Sequence, residues 1–194
     1  MNHRRLSRLI IIPACALLLA CSESTNGDSA NNGIDQLERR MEVRHHEDLL
    51  ARMAAPGSTL AAFTTDGCSG GLSVGWEYLA DRIETIQKQH GIRPPWEPCC
   101  IEHDRHYHAG PGNGSTAEES FEARKQADLA LQACVIETGH TRATELSVEY
   151  DVSPGTVDTL YAVIAELMYR AVRLGGVPCS GLPWRWGYGW PECE

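Results

Sequence analysis

From about Gly155 to Leu174, apolar residues recur at helical spacing: Leu160, Val163, Ile164, Leu167, Met168, Ala171 and Val172 share one stripe. That period predicts an amphipathic helix, with the stripe in the core by default. A longer helix is predicted from about Ala117 to Thr138, and a short one from about Cys99 to His108. The short helix is preceded by "RPPWEP", which delivers Pro98 to a first helical turn, where its missing N–H costs nothing. "AGPGNGS" breaks it. Upstream, "SVGWEYLADRIETIQKQHG" reads as helical from about Trp76 until Gly91, and "TTDGCSGG" (Thr64 to Gly71) as a loop. Ile34, Leu37, Met41, Leu49, Leu50 and Met53 lie near helical spacing, which predicts one amphipathic helix or two short ones, with Pro56-Gly57 as the stop. His45 and His46 sit in that segment among charges, which predicts a solvated face for both. Residues 22–33, "SESTNGDSANNG", are too polar to bury and read as a flexible tether. The expected architecture is therefore mainly α, with one domain after the tether and no internal repeat.

The amino terminus changes the picture. Arg4, Arg5 and Arg8 precede a short apolar run interrupted by Pro13, as in a cleaved export signal over residues 1–20. Its end, "LLAC", resembles a bacterial lipobox, which implies cleavage before Cys21 and a diacylglycerol on that thiol. Ser22 is not the aspartate that would suggest inner-membrane retention, so the expectation is an exported envelope lipoprotein, in the outer membrane rather than the inner. The 194-residue chain has a net charge of −9, and losing three leader arginines takes it to −12. Such a charge disfavours nucleic acid, and membrane contact would come from the lipid or from apolar surface.

Eight cysteines less Cys15 in the leader and Cys21 leave Cys68, Cys99, Cys100, Cys134, Cys179 and Cys193. In an exported domain these six read as three disulfides, with fifteen pairings open. On a helix, Cys100, His103, Asp104 and Tyr107 fall on one face. A His beside an Asp offers a general base next to a hard-cation ligand.

"CCIEHDRHY" resembles the active-site helix of the secreted phospholipase A2 family, Cys-Cys-x-x-His-Asp-x-Cys-Tyr, with His106 in place of one cysteine. "QADLALQAC" is similar to the family's partner helix: Asp128 and Cys134 stand at the right spacing, and Ala127 replaces the cysteine before the Asp. The family bonds those two missing cysteines to each other. In an antiparallel pair the two positions face one another at the same register as Cys99 and Cys134, so the departures are coupled. "TDGCS" is similar to the calcium loop of the smaller bacterial and fungal members. The likeness covers about Asp66 to Cys134, with residues 64–194 as the catalytic domain and 34–63 as an N-terminal helical segment of unassigned role.

The resemblance implies a phospholipase A2-like antiparallel helix pair and hydrolysis of the sn-2 ester of a membrane phospholipid. His103 would activate water, Asp128 would hold its ring, and Tyr107 would hold Asp128. It further implies Ca2+ on Asp66, the Gly67 carbonyl and Asp104, with the N–H groups around Cys68 as further oxyanion donors. Cys68 would pair with Cys100 and Cys99 with Cys134, which leaves Cys179 with Cys193. One alternative is a non-catalytic calcium- and lipid-binding lipoprotein of the same fold. Another is a zinc site on His103, His106 and Asp104 or His108. His106 would otherwise fill the space opposite Ala127, and His108 would favour the helix end or solvent. Trp184, Trp186 and Trp190 fit a membrane rim or a core equally, whereas Trp76 and Trp96 fit packing.

Overall fold

The structure, a computed structural model, describes residues 26–68 and 93–193. The leader, Cys21, Trp76 and the segment expected to be helical up to Gly91 lie outside the described residues. The chain divides into two compact units, residues 1–35 and 36–194, and the second holds the site. Five helices and no strand are present among the described residues: α1 (Asn26–Ala54), α2 (Glu97–Ala109), α3 (Ala117–Thr141), α4 (Ala143–Tyr150) and α5 (Pro154–Gly175). None of them is long and apolar enough to cross a membrane.

Local chemistry explains the helix ends. Pro98 and Glu97 occupy the first turn of α2, where a missing N–H is harmless and a negative charge suits the dipole. Thr116 and Glu119 form a reciprocal capping box on α3, with Glu119 N–H donating to Thr116 Oγ1 at 3.2 Å. Ser153 caps α5 one way only, its Oγ accepting from Thr156 N–H at 3.2 Å, ahead of Pro154. Asp151, left-handed at φ 54°, ends α4. The sequence pattern gave no sign of α4 as a separate helix.

α3 packs along α5, and α2 packs on α3. Gly139 of α3 permits the close approach: a Cβ there would meet Tyr161 Cβ and Cγ at 2.4 Å. The main core joins Trp96, Leu131, Val135, Leu146, Val157, Tyr161, Ala165 and Met168. The cysteines pair as Cys68–Cys100, Cys99–Cys134 and Cys179–Cys193. The second of these clamps α2 to α3.

Four expectations are corrected. The core stripe of α5 is Val157, Tyr161, Ala165 and Met168, while Leu160, Val163 and Leu167 are 46%, 54% and 52% exposed. The apolar arc of this helix is wider than the face that α3 takes, so its period could not single out the buried line. On α1 the buried line is Glu42, His46 and Leu49, with Met41 exposed. His46 is fully buried, not solvated, because both ring nitrogens are bonded: Nε2 to Glu42 at 2.9 Å and Nδ1 to Ser120 at 2.6 Å. Finally, α1 begins at Asn26, inside the stretch read as a tether. A formed helix propagates cheaply into polar sequence, since each added residue gains a backbone bond without a new nucleus.

The tail after α5 turns back over the end of α2. Gly187 N–H donates to Tyr107 O at 2.6 Å, Gly189 N–H to His108 O at 3.1 Å and Trp190 Nε1–H to Ala109 O at 2.8 Å. These are carbonyls a helix terminus leaves without partners. Two positive-φ glycines allow the approach, Gly110 (φ 65°) against Gly187 (φ 76°), whose Cβ positions would strike Gly187 Cα and Leu49. Trp186 is buried with Leu49, Tyr107 and Ala127, and half-buried Trp190 packs on them, so the tail's role here is packing and capping.

Candidate active site

α2 and α3 bring His103 and Asp128 face to face. His103 Nε2 lies 2.8 Å from Asp128 Oδ1, and the Tyr107 hydroxyl donates to the same oxygen at 2.7 Å. All three side chains are buried. Tyr107 also packs tilted on the His103 ring, with centroids 4.1 Å apart. Gly176, just past α5, makes room for it, because a Cβ there would lie 2.6 Å from the Tyr107 hydroxyl. Burial and the Asp128 charge push the Tyr107 phenol well above its ordinary value, so it stays a donor.

Asp128 Oδ2 is held from the other side. Arg173 Nη1–H of α5 donates to it at 3.0 Å, and Arg124 Nη1 stands 3.5 Å away. Arg124 Nη1–H also donates to Tyr107 Oη at 2.9 Å and to Val172 O at 3.0 Å, and its Nη2–H to Arg173 O at 3.0 Å, capping the end of α5. Both guanidiniums meet Glu42 of α1: Arg124 through Nε at 2.5 Å and Nη2 at 2.7 Å, Arg173 through Nη2 at 3.1 Å. Burial works to raise the Glu42 carboxyl, but hydrogen bonds from His46 and Arg124 and the charges of Arg124 and Arg173 outweigh it. The group is held down at about 2.

Sequence reasoning missed Glu42, Arg124 and Arg173. Only Arg124 left a signal, one helical turn before Asp128.

His103 lines an apolar cavity of about 120 Å³ whose walls include Leu131, Met168, Ala171, Val172 and Trp184. With Nε2 committed to Asp128, Nδ1 is the ring nitrogen left for chemistry. Asp66 and Asp104 line this cavity and a neighbouring one of about 270 Å³, which Thr64, Thr65, Trp184 and Tyr188 complete. Trp184 therefore forms a wall of both. The Thr65 hydroxyl donates to Asp104 Oδ2 at 2.5 Å and accepts from Gly67 N–H at 3.0 Å. Gly67 sits at φ 73° with its Cβ direction blocked by Glu97 Oε1 at 2.7 Å, so the loop needs a glycine there. Tyr188 ties the loop to α2 by donating to Thr64 O at 2.6 Å and Asp104 O at 3.2 Å.

The Asp104 carboxyl is raised to about 6 by burial and by the charge of Asp66, against the opposing effects of Thr65 and His103. Two carboxylates sharing one cavity are oxygen donors of the kind a hard cation takes. Among the described residues, no three His, Cys, Asp or Glu side chains converge on one metal position. His106 does not fill space opposite Ala127: it is 55% exposed and stands 3.7 Å from Glu102. His108 is buried, not solvated, with its ring edge-on to Phe63 and Tyr188. The histidines proposed for zinc therefore diverge, one to Asp128, one to solvent and one to the aromatic pocket.

A second constellation, Ser120–His46–Glu42, has the connectivity of a serine-hydrolase triad. It is sealed: Ser120 and His46 are fully buried, and Trp186 Nε1–H donates to Ser120 Oγ at 3.1 Å. Neither cavity beside His103 includes these residues.

No family model, curated protein or solved structure matches the chain.

Proposed function

We propose that the protein is a calcium-dependent ester hydrolase acting on glycerophospholipids at the sn-2 position, with a phospholipase A2-like helix pair and calcium loop. The observation that carries this reading is the His103–Asp128 pair, set in the wall of an apolar cavity whose rim bears Asp66 and Asp104. His103 Nδ1 takes a proton from water, and the water oxygen bonds to the ester carbonyl carbon. The carbonyl π bond opens to a tetrahedral oxyanion, which re-forms the carbonyl as the carbon–alkoxide bond breaks, and the leaving oxygen takes the proton from His103. Asp128 fixes the Nε2–H tautomer and steadies the imidazolium, as the buried Asp does in hydrolase triads. Tyr107 orients Asp128, and Leu131, Met168 and Trp184 receive the acyl chain.

Asp66, Asp104 and the Gly67 carbonyl are the residues that would hold calcium. When bound, the ion supplies charge stabilisation for the developing oxyanion and a hold on the substrate phosphate. The same reading takes the protein to be an exported lipoprotein, anchored at Cys21 in the envelope, with a phospholipid membrane as substrate.

The test is fatty-acid release from mixed phospholipid vesicles by the oxidised protein, with calcium and with chelator, beside His103→Gln. Calcium-dependent release that falls about a thousandfold in the variant is the expected result. Absence of release with calcium still bound would leave a lipid-binding module of the same fold. Release supported by zinc and not calcium would overturn the metal assignment.

A further inference from the structure

Both oxygens of Asp128 are occupied, and the occupants differ in kind. Oδ1 takes the two groups of the reaction machinery, the His103 ring and the Tyr107 hydroxyl. Oδ2 takes a hydrogen bond from Arg173, a residue of α5 that touches neither cavity, with Arg124 Nη1 at ion-pair distance, 3.5 Å. A carboxylate accepting on one oxygen alone can pivot about its Cβ–Cγ bond. A charge-assisted bond from Arg173 to the second oxygen fixes that torsion, and with it the direction in which Oδ1 meets the imidazole.

Arg173 is in turn held. Its Nη2–H donates to Glu42 Oε2 at 3.1 Å, and Glu42 is itself clamped by Arg124 and His46. Two buried arginines and two buried carboxylates then neutralise one another, which a dry interior requires. The line Glu42–Arg173–Asp128–His103 crosses from α1 through α5 and α3 to α2.

We infer that Arg173, fixed by Glu42, is a positioning residue for the His103–Asp128 pair, and that α1 is thereby part of the reactive centre. The catalytic consequence rests on the hydrolytic reading; the positioning itself does not. Arg173 lies over the Phe121 ring at 5.3 Å, so a purely structural contribution must be told apart from a positioning one.

The experiment reads the Nε2–H proton of His103 by NMR at neutral pH, assigned by its loss in His103→Gln, alongside vesicle hydrolysis and thermal melting. Wild type should show a protected ring N–H. Arg173→Met should broaden it away and lower kcat ten- to a hundredfold with KM within twofold. Arg173→Lys, which keeps a donor and a charge, should restore the resonance and at least a third of kcat. Glu42→Gln should weaken the resonance, and combining it with Arg173→Met should cost no more than Arg173→Met alone, because both act through one line of contacts. If Arg173→Met does not fold, the near-isosteric Glu42→Gln decides. A wild type without the protected proton, or one whose proton and kcat survive both changes, overturns the inference. A responsive proton in a protein that releases no fatty acid would sink the hydrolytic reading and leave the positioning intact.

Discussion

Asp104, the proposed calcium ligand, shows at the scale of one residue how burying a carboxylate beside another costs stability. Burial and the neighbouring Asp66 raise its carboxyl to about 6. A carboxyl whose folded value lies above its unfolded one disfavours the folded state wherever it is ionised, so the penalty is complete above pH 6 and gone below about 4. Asp104→Asn keeps an acceptor for the Thr65 hydroxyl and removes the charge. In chelator at pH 7 the variant should be more stable by about 1–2 kcal/mol after solvent screening, a rise of a few degrees in Tm. At pH 4 the gain should vanish. Calcium should raise the wild-type Tm at pH 7 and leave the variant unmoved, with vesicle hydrolysis lost. Melting curves at the two pH values, with and without calcium, check all of this; a variant less stable than wild type in chelator would mean the Asp104 charge is compensated.

Between elements, the tightest joint is α3 on α5. Gly139→Ala would gain about 1 kcal/mol in helix propensity. It would also force a Cβ against Tyr161 at 2.4 Å, and overpacking of that kind costs roughly 1–3 kcal/mol. The net expectation is a lower urea midpoint at unchanged slope; a higher midpoint would show that the two helices separate freely. α2, α3 and α5 were legible in the sequence, because Pro98 and the glycine-rich break at Gly110 punctuate apolar periods that a local pattern can carry, whereas α4 was not. Nor was the face that each helix buries. On α1 the buried line is half polar, Glu42 and His46 with Leu49, and reads as solvent until Ser120 and Arg124 arrive from another helix. On α5 the apolar arc is wider than the face that α3 takes, so its period alone does not pick out the buried line. The facing of His103 and Asp128 was implied only by the resemblance of their two motifs to a known helix pair, in which each stands at a fixed offset from a cysteine of the pair that joins the helices. Arg173, far away in sequence, carried no such marker.

At the scale of the whole molecule, Glu42 is where α1, α3 and α5 are joined by charge rather than by apolar packing. Its carboxyl is held at about 2, below an ordinary 4.5, by His46, Arg124 and Arg173 against the cost of burial. A depressed folded value means stabilisation that is present above the unfolded value and lost as pH falls through the folded one. The window is therefore pH 4.5 down to 2, and the contribution at stake is on the order of 3 kcal/mol. Burial and the two arginines push the His46 ring below the ordinary imidazole value, against the opposing effect of Glu42. Urea unfolding of the oxidised protein at pH 7, 4.5, 3 and 2, beside Glu42→Gln, isolates the effect. Wild type should exceed the variant by about 3 kcal/mol at pH 7, keep that margin at 4.5, and lose it progressively toward pH 2. A margin that persists at pH 2 would mean Glu42 stabilises by shape and hydrogen bonding alone. A margin that shrinks already between pH 7 and 5 would place the acid-sensitive joint on another group. Because Arg173 meets Asp128 on one side and Glu42 on the other, loss of the Glu42 charge should loosen the His103–Asp128 pair before the disulfide-clamped helices part.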